Sequence, residues 1–412
     1  MTNQNGSRHF SVIASCTLVL IVLADCGNKE KIGRREGNIR SIHVDIKAAS
    51  NIKLSEIYDS VDIIKLQTDT SAAIGEITGL KFCRNHLYFI AREEVIIFDK
   101  NGNFVYKITH SGNGAGEYEV VSDIFVEPDT GHTLVYDSKG EKIIRYDPEG
   151  NYLEEWMVHL DGYSFTKLNE DIYPIYIGAG SSYNEQSNFK LNYFSKGAKE
   201  ISRRFIEIPE NEEEFLHFGD LINFSLYNDT TSFLYTSNDT VYSLSEEGID
   251  PRIYIDFGKN KMPASFLQAK YLDVRDFVGA CEDTDFVYQI VGFFETDHML
   301  AFACRHKSDF LHIYYSKSTK KVLVGSGIEN DFLFPGIRTT TSPHNLPKVT
   351  DGTNLYTIVD AYTFIENVDS LRASLSPNQW KNYQRDHPKV ADIYRMAKIE
   401  DNPVIIIGKP RI

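Results

Sequence analysis

Apolar residues along this chain come in short runs, each closed by a polar turn, and one turn returns at a nearly constant interval. Ile97-Phe98-Asp99-Lys100-Asn101-Gly102-Asn103-Phe104 is matched by Arg145-Tyr146-Asp147-Pro148-Glu149-Gly150-Asn151-Tyr152, 48 residues later. Weaker copies end at Gly197 and Gly248, so the glycines are spaced by 48, 47 and 51 residues, and a fifth copy at Tyr314–Thr319 lacks the glycine. Each copy reads as strand, turn, strand. Asp99 and Asp147 can bond the turn backbone, and Gly102, Gly150, Gly197 and Gly248 can take the positive φ a hairpin needs.

Upstream of most turns lies a second element, as in Leu87-Tyr88-Phe89-Ile90, Leu134-Val135-Tyr136, Met299-Leu300-Ala301-Phe302 and Leu355 to Val359. These runs are continuous rather than alternating, the pattern of strands covered on both faces. A unit of about 48 residues holding three or four strands has the size of a propeller blade. The expected fold is all-β: a six-bladed β-propeller of four-stranded antiparallel blades over residues 39–412, with seven blades as the alternative. Val61 to Leu66 and Pro403 to Ile407 are expected to complete the last blade from both chain ends, leaving few exposed edges. The blade containing Ile172 to Ile177 is the weakest, because Pro174 interrupts it. Helical insertions are predicted near 263–278, from apolar spacing, and near 376–398, where Ser376-Pro377 forms an N-cap and first-turn proline.

The N-terminus departs from this pattern. Ser11 to Ala24 is an apolar run of fourteen, short for a bilayer span but suited to a signal-peptide core. It ends in Leu23-Ala24-Asp25-Cys26. This tetrapeptide resembles the lipobox of bacterial lipoproteins, in which the cysteine carries the lipid; Asp25 departs from the small residue usual there. The resemblance implies a signal peptide over 1–25, lipid on Cys26, a flexible tether over 26–38, and anchorage in the cell envelope, at the outer membrane.

The composition is that of a globular chain, and its net charge of −15 opposes binding to nucleic acid. Beyond Cys26 the cysteines are Cys83, Cys281 and Cys304, with no CxxC spacing; one Cys281–Cys304 bridge is the pairing open to them. His298, His306 and His312 fit no recognised zinc spacing. Asp256-Phe257-Gly258 lacks the lysine and catalytic loop of a kinase, and Asp283 and Asp285 lie outside any EF-hand pattern.

Gly112-Asn113-Gly114-Ala115-Gly116-Glu117-Tyr118 is the remaining conspicuous stretch. A phosphate loop needs a helix directly after it, whereas a strand pattern follows here, and the Lys-Ser/Thr of a P-loop is absent. The stretch reads instead as a link between blades, with Gly112, Gly114 and Gly116 permitting the turn and Glu117 and Tyr118 pinning it. From Gly112 through Leu153 the chain resembles an NHL-type propeller repeat. Over residues 39–412 it resembles the six-bladed propeller lipoproteins of Bacteroides-type bacteria, which share the lipobox, a GxGxGEY-like link and a closing Asn-Pro strand (here Asn402 to Ile407).

The function expected is a lipid-anchored scaffold that binds an envelope protein or a small-molecule or glycan ligand, with no catalytic, cofactor or metal residue assigned. The alternative is a metal-dependent enzyme of lactonase or lyase type, with a divalent ion over the central channel.

Overall fold

The computed structural model describes residues 39–91, 93–178, 187–212 and 222–411. The leader, Cys26 and the tether lie outside them. Two short strands, β1 (Arg40–His43) and β2 (Ser50–Lys53), precede β3 (Tyr58–Lys65). Four-stranded antiparallel sheets then follow in chain order. The first holds β4 (Gly79–Cys83), β5 (His86–Ala91), β6 (Glu94–Asp99) and β7 (Phe104–Ile108). The second holds β8 (Asp123–Val126), β9 (Thr133–Asp137), β10 (Lys142–Tyr146) and β11 (Tyr152–Met157). The third holds β12 (Ser164–Phe165), β13 (Ile172–Tyr176), β14 (Phe189–Ser195) and β15 (Glu200–Glu207).

The fourth sheet, β16 (Phe224–Tyr227), β17 (Thr230–Phe233), β18 (Thr240–Ser245) and β19 (Gly248–Asp256), takes β1 as a parallel fifth strand on its outer edge. The fifth, β20 (Val287–Glu295), β21 (Met299–His306), β22 (Asp309–Ser316) and β23 (Val322–Glu329), takes β2 the same way and pairs β24 (Arg338–Thr340) with β23. The sixth joins β25 (Val349–Thr350), β26 (Leu355–Val359) and β27 (Val404–Pro410) to β3. Ile405 lies opposite Ile64 and Ile406 opposite Ile63, so strands from the two ends of the described chain share one ladder.

Successive sheets bury their faces on one another, which explains the continuous apolar runs. Ile97 and Ile144 join the first sheet to the second, Tyr136 and Phe165 the second to the third, and Leu191 and Phe233 the third to the fourth. Ile253 and Phe302 join the fourth to the fifth, and Ala301 and Leu355 the fifth to the sixth. Phe89, Phe98 and Ile405 join the sixth to the first. The arrangement is propeller-like. At about 25 cal/mol per Å² of apolar area removed from water, each such interface is a major source of stability.

Pro174 sits inside β13, opposite Tyr193. A strand residue directs its N–H and C=O to the same side, and the carbonyl of Pro174 accepts from the Thr166 amide, next to β12. The missing donor therefore faces a strand only two residues long, where no ladder partner is lost.

Helices stand at both expected insertions, with one more than expected. Near 263–278 the structure has two short helices, α1 (Ala264–Leu267) and α2 (Val274–Glu282), the second capped by Asp273. Between β26 and β27 stand three: α3 (Ala361–Ser374), α4 (Pro377–Asp386) and α5 (Pro388–Met396). Ser376 and Gln379 form a capping box at the start of α4. Helix α3 is the one not expected from the sequence, although Asp360 caps it and Ala361, Phe364, Val368 and Leu371 are its buried positions. These helices cover the outer sheet face at Ile63, Val404 and Ile406.

Candidate functional site

The strands at the inner edges of the sheets enclose a cavity of about 1760 Å³. β8 packs against β4 and β12, β20 against β16 and β25, and β25 against β4. Polar links run between the same strands. Asp123, at the start of β8, accepts from Lys81 Nζ of β4 at 2.8 Å and from the Phe165 amide of β12 at 3.2 Å. Ser164 Oγ of β12 lies 2.9 Å from Oδ1 of Asn223, the residue before β16. One carboxylate thus spans three sheets, and its charge is balanced by the Lys81 ammonium.

The cavity wall is apolar with scattered polar groups, the usual make-up of a ligand pocket. Phe82, Phe125, Tyr163, Phe165, Phe224 and Tyr227 are among its lining residues. Lys348 also faces it, and its Nζ donates to the Pro343 carbonyl at 2.6 Å. Burial pushes the Lys348 ammonium below the ordinary lysine range. Leu226, 48% exposed, is an apolar side chain on the wall open to entering molecules.

The Gly-rich link leads from β7 into β8, and its donors are engaged by the protein itself. The Gly114 amide donates to Glu117 Oε2 at 2.8 Å and the Gly116 amide to Glu155 Oε2 at 3.0 Å. The amides of Glu119 and Val120 donate to the buried Asp137 carboxylate, and the Gly112 amide donates to the Tyr118 carbonyl. Three carboxylates occupy the positions an anion would need, and they repel one. Tyr118 is fully buried, and its hydroxyl donates to the carbonyls of Glu93 and Ile108. The Tyr146 hydroxyl donates to the Gly116 carbonyl at 2.8 Å. The link is therefore tied to both the first and the second sheet. Asp137, Glu155 and Tyr146 carry much of that bonding and were not singled out from the sequence, because their spacing to the glycines depends on sheet packing.

The repeat turns fall into two kinds. Asp99 Oδ1 accepts from the amides of Asn101 and Asn103, and Asp147 Oδ1 accepts from those of Glu149 and Asn151. Gly102 and Gly150 have φ of 87° and 86°. Of the other two glycines, Gly248 also has a positive φ, 158°, and only Gly197 departs from that role. Gly197 has no positive φ; Lys199, at 59°, supplies it, while the Gly197 amide donates to Asp171. Gly248 begins β19 opposite Ser245, beyond the two-residue turn Glu246-Glu247.

Cys83, Cys281 and Cys304 are free thiols; Cys281 and Cys304 belong to different apolar clusters. Burial pushes the Cys281 thiol up to about 12, which suppresses its thiolate. His312 is buried with its Nε2 at 3.0 Å from the Ser342 carbonyl, and burial lowers it to about 4. His306 lies near Asp285, so the histidines noted in the sequence do not converge. Asp256 accepts from the Gly258 amide and is bonded to His43, as a turn residue would be.

Residues 39–409 match the family described as a domain of unknown function, DUF4934. No curated protein matches the chain. Among solved structures, a Bacteroides fragilis NCTC 9343 protein described as exported is 15% identical, with a TM-score of 0.69 over 91% of this chain and 100% of that one. A member of the DUF4221 family from Bacteroides vulgatus ATCC 8482 is 10% identical, with a TM-score of 0.48 over 86% of this chain and 97% of that one. Streptogramin B lyase is 11% identical, with a TM-score of 0.37 over 73% of this chain and 94% of that one. The first of these likenesses is one of fold.

Proposed function

We propose that this chain, which belongs to the DUF4934 family, is a six-bladed envelope propeller that binds a ligand in its central channel and acts as a scaffold rather than an enzyme. Support for six blades comes from the circuit of apolar interfaces, which returns from the sixth sheet to the first, and from the β3–β27 ladder. The envelope address rests on the apolar run before Cys26 and its lipobox-like tetrapeptide; the description of the Bacteroides fragilis neighbour as exported agrees with it.

The observation that carries the binding function is the cavity itself. All six sheets or their adjoining loops contribute to its wall, and its volume of about 1760 Å³ exceeds the roughly 300–1,000 Å³ of ordinary small-ligand pockets. Blades around an axis leave a channel, and the aromatic and polar side chains lining this one suit it to a ligand.

A thermal-shift screen against a compound and glycan collection tests the reading on the wild-type protein and on Leu226→Trp, which narrows the channel from its wall. Compounds that raise the wild-type Tm should leave the Tm of Leu226→Trp unchanged. Shifts that persist in the narrowed protein would place the site elsewhere. Labelled palmitate should be incorporated into the wild-type chain in cells and lost in Cys26→Ser; retention of label would remove the lipid anchor.

A further inference from the structure

We infer that the occupant of the channel is a basic peptide segment: an extended stretch of chain carrying lysine or arginine beside apolar residues. This rests on the channel being the binding site. The first ground is charge. Nine of the lining residues are Asp or Glu and three are Lys or Arg. Lys81 is already paired with Asp123, Lys348 Nζ is bonded to the Pro343 carbonyl, and Arg84 is the remaining cation of the wall. Asp401 and Glu119 are answered by Lys65 and Lys139. Glu93, Asp229, Asp351 and Asp360 line the same wall and meet no cationic side chain among the described residues. Glu93 and Asp360 lie toward one end of the inner strands, Asp229 and Asp351 toward the other. Among the described residues no three acidic, histidine or cysteine side chains converge as a metal ion requires. The complementary positive charge is therefore spread along a ligand rather than held at a point.

The second ground is independent of charge. Thr166 and Thr231 line the cavity at 4% and 7% exposure, and their hydroxyls make no hydrogen bond among the described residues. The hydroxyls of Thr166 and Thr231 are open to the cavity, where a ligand with several donors and acceptors can bond them. Peptide amides provide both. Aromatic side chains such as Phe125, Phe165 and Phe224 add apolar surface to the wall for a ligand's apolar side chains. A simple polyamine meets the charge but neither the volume nor the hydroxyls.

Fluorescence anisotropy tests this with two labelled nonapeptides of lysine, phenylalanine and glycine, the second with glutamate in place of lysine. The lysine peptide should bind the wild-type protein at least about tenfold more tightly than the glutamate peptide, and should weaken as salt is raised. The double variant Glu93→Gln/Asp229→Asn, whose circular dichroism should match wild type, should bind it about fivefold more weakly, and Leu226→Trp should lose it. Equal binding of both peptides, abolished by Leu226→Trp, would overturn the basic ligand while leaving the channel as the site. Lysine-peptide binding that survives Leu226→Trp would overturn both. Failure of the lysine peptide to bind, or its displacement by spermidine at equal concentration, would overturn the inference.

Discussion

The turn glycines are where single residues decide most. Gly116 has φ of 74°, and a Cβ there would sit 2.6 Å from Tyr152 Cγ. Gly114 has no positive φ, and its Cβ would meet only Glu117 Oε2 at 3.0 Å, the far end of a flexible side chain. Gly116→Val should therefore cost about 2–3 kcal/mol in urea unfolding and Gly114→Val under about 1 kcal/mol. Neither should change ligand affinity at saturation. A Gly116→Val protein of full stability with weakened binding would return the link to the candidate sites. The requirement for glycine was legible in the sequence at positions 102, 116 and 150. It failed at 197, where Lys199 takes over; a lysine in the left-handed region is uncommon enough that pattern alone assigns the role to its glycine neighbour.

Between elements, the links most hidden from sequence are ionic. Glu127 follows β8 and meets Arg145 of β10 and Lys167, just after β12, so one carboxylate couples the second and third sheets. Burial favours the protonated carboxyl, but bonds from Lys167, Thr130 and Arg145 outweigh that and hold it at about 2. Its folded value lies below its unfolded one, so the stabilisation is complete above the ordinary carboxyl range and is lost as pH falls toward the folded value. Glu127→Gln should cost about 3 kcal/mol at pH 7, and the gap from wild type in thermal unfolding should close between about pH 4.5 and 2. A gap independent of pH would mean that Glu127 acts through packing. Strand runs were legible because both faces of each sheet are covered, which leaves unbroken apolar stretches such as Leu87 to Ile90. Helix α3 was not, since Tyr362, Thr363, Phe364 and Ile365 favour strands and directly follow the run Leu355 to Val359. Its period, read from Asp360 onward, was present but masked by that composition. The channel wall was illegible for another reason: Glu93, Thr166, Asp229 and Lys348 come from four sheets and have no common spacing.

For the molecule as a whole, the account depends on the circle being closed by strands from both chain ends. An open stack would leave the faces at Ile64 and Phe89 uncovered and would split the channel wall between the first and sixth sheets. In the proposed ring, closure would make β3 and β27 an interior part of the cooperative unit, although each lies near an end of the described chain, where fraying is the usual outcome. Native-state hydrogen exchange addresses this directly. Amides of β27 bonded to β3, those of Ile405 and Ile407, should exchange only through global opening, at the same free energy as those of Val135 in β9. Exchange of the β27 amides at a free energy several kcal/mol below that of β9 would contradict the closed ring, and with it the channel and its proposed ligand.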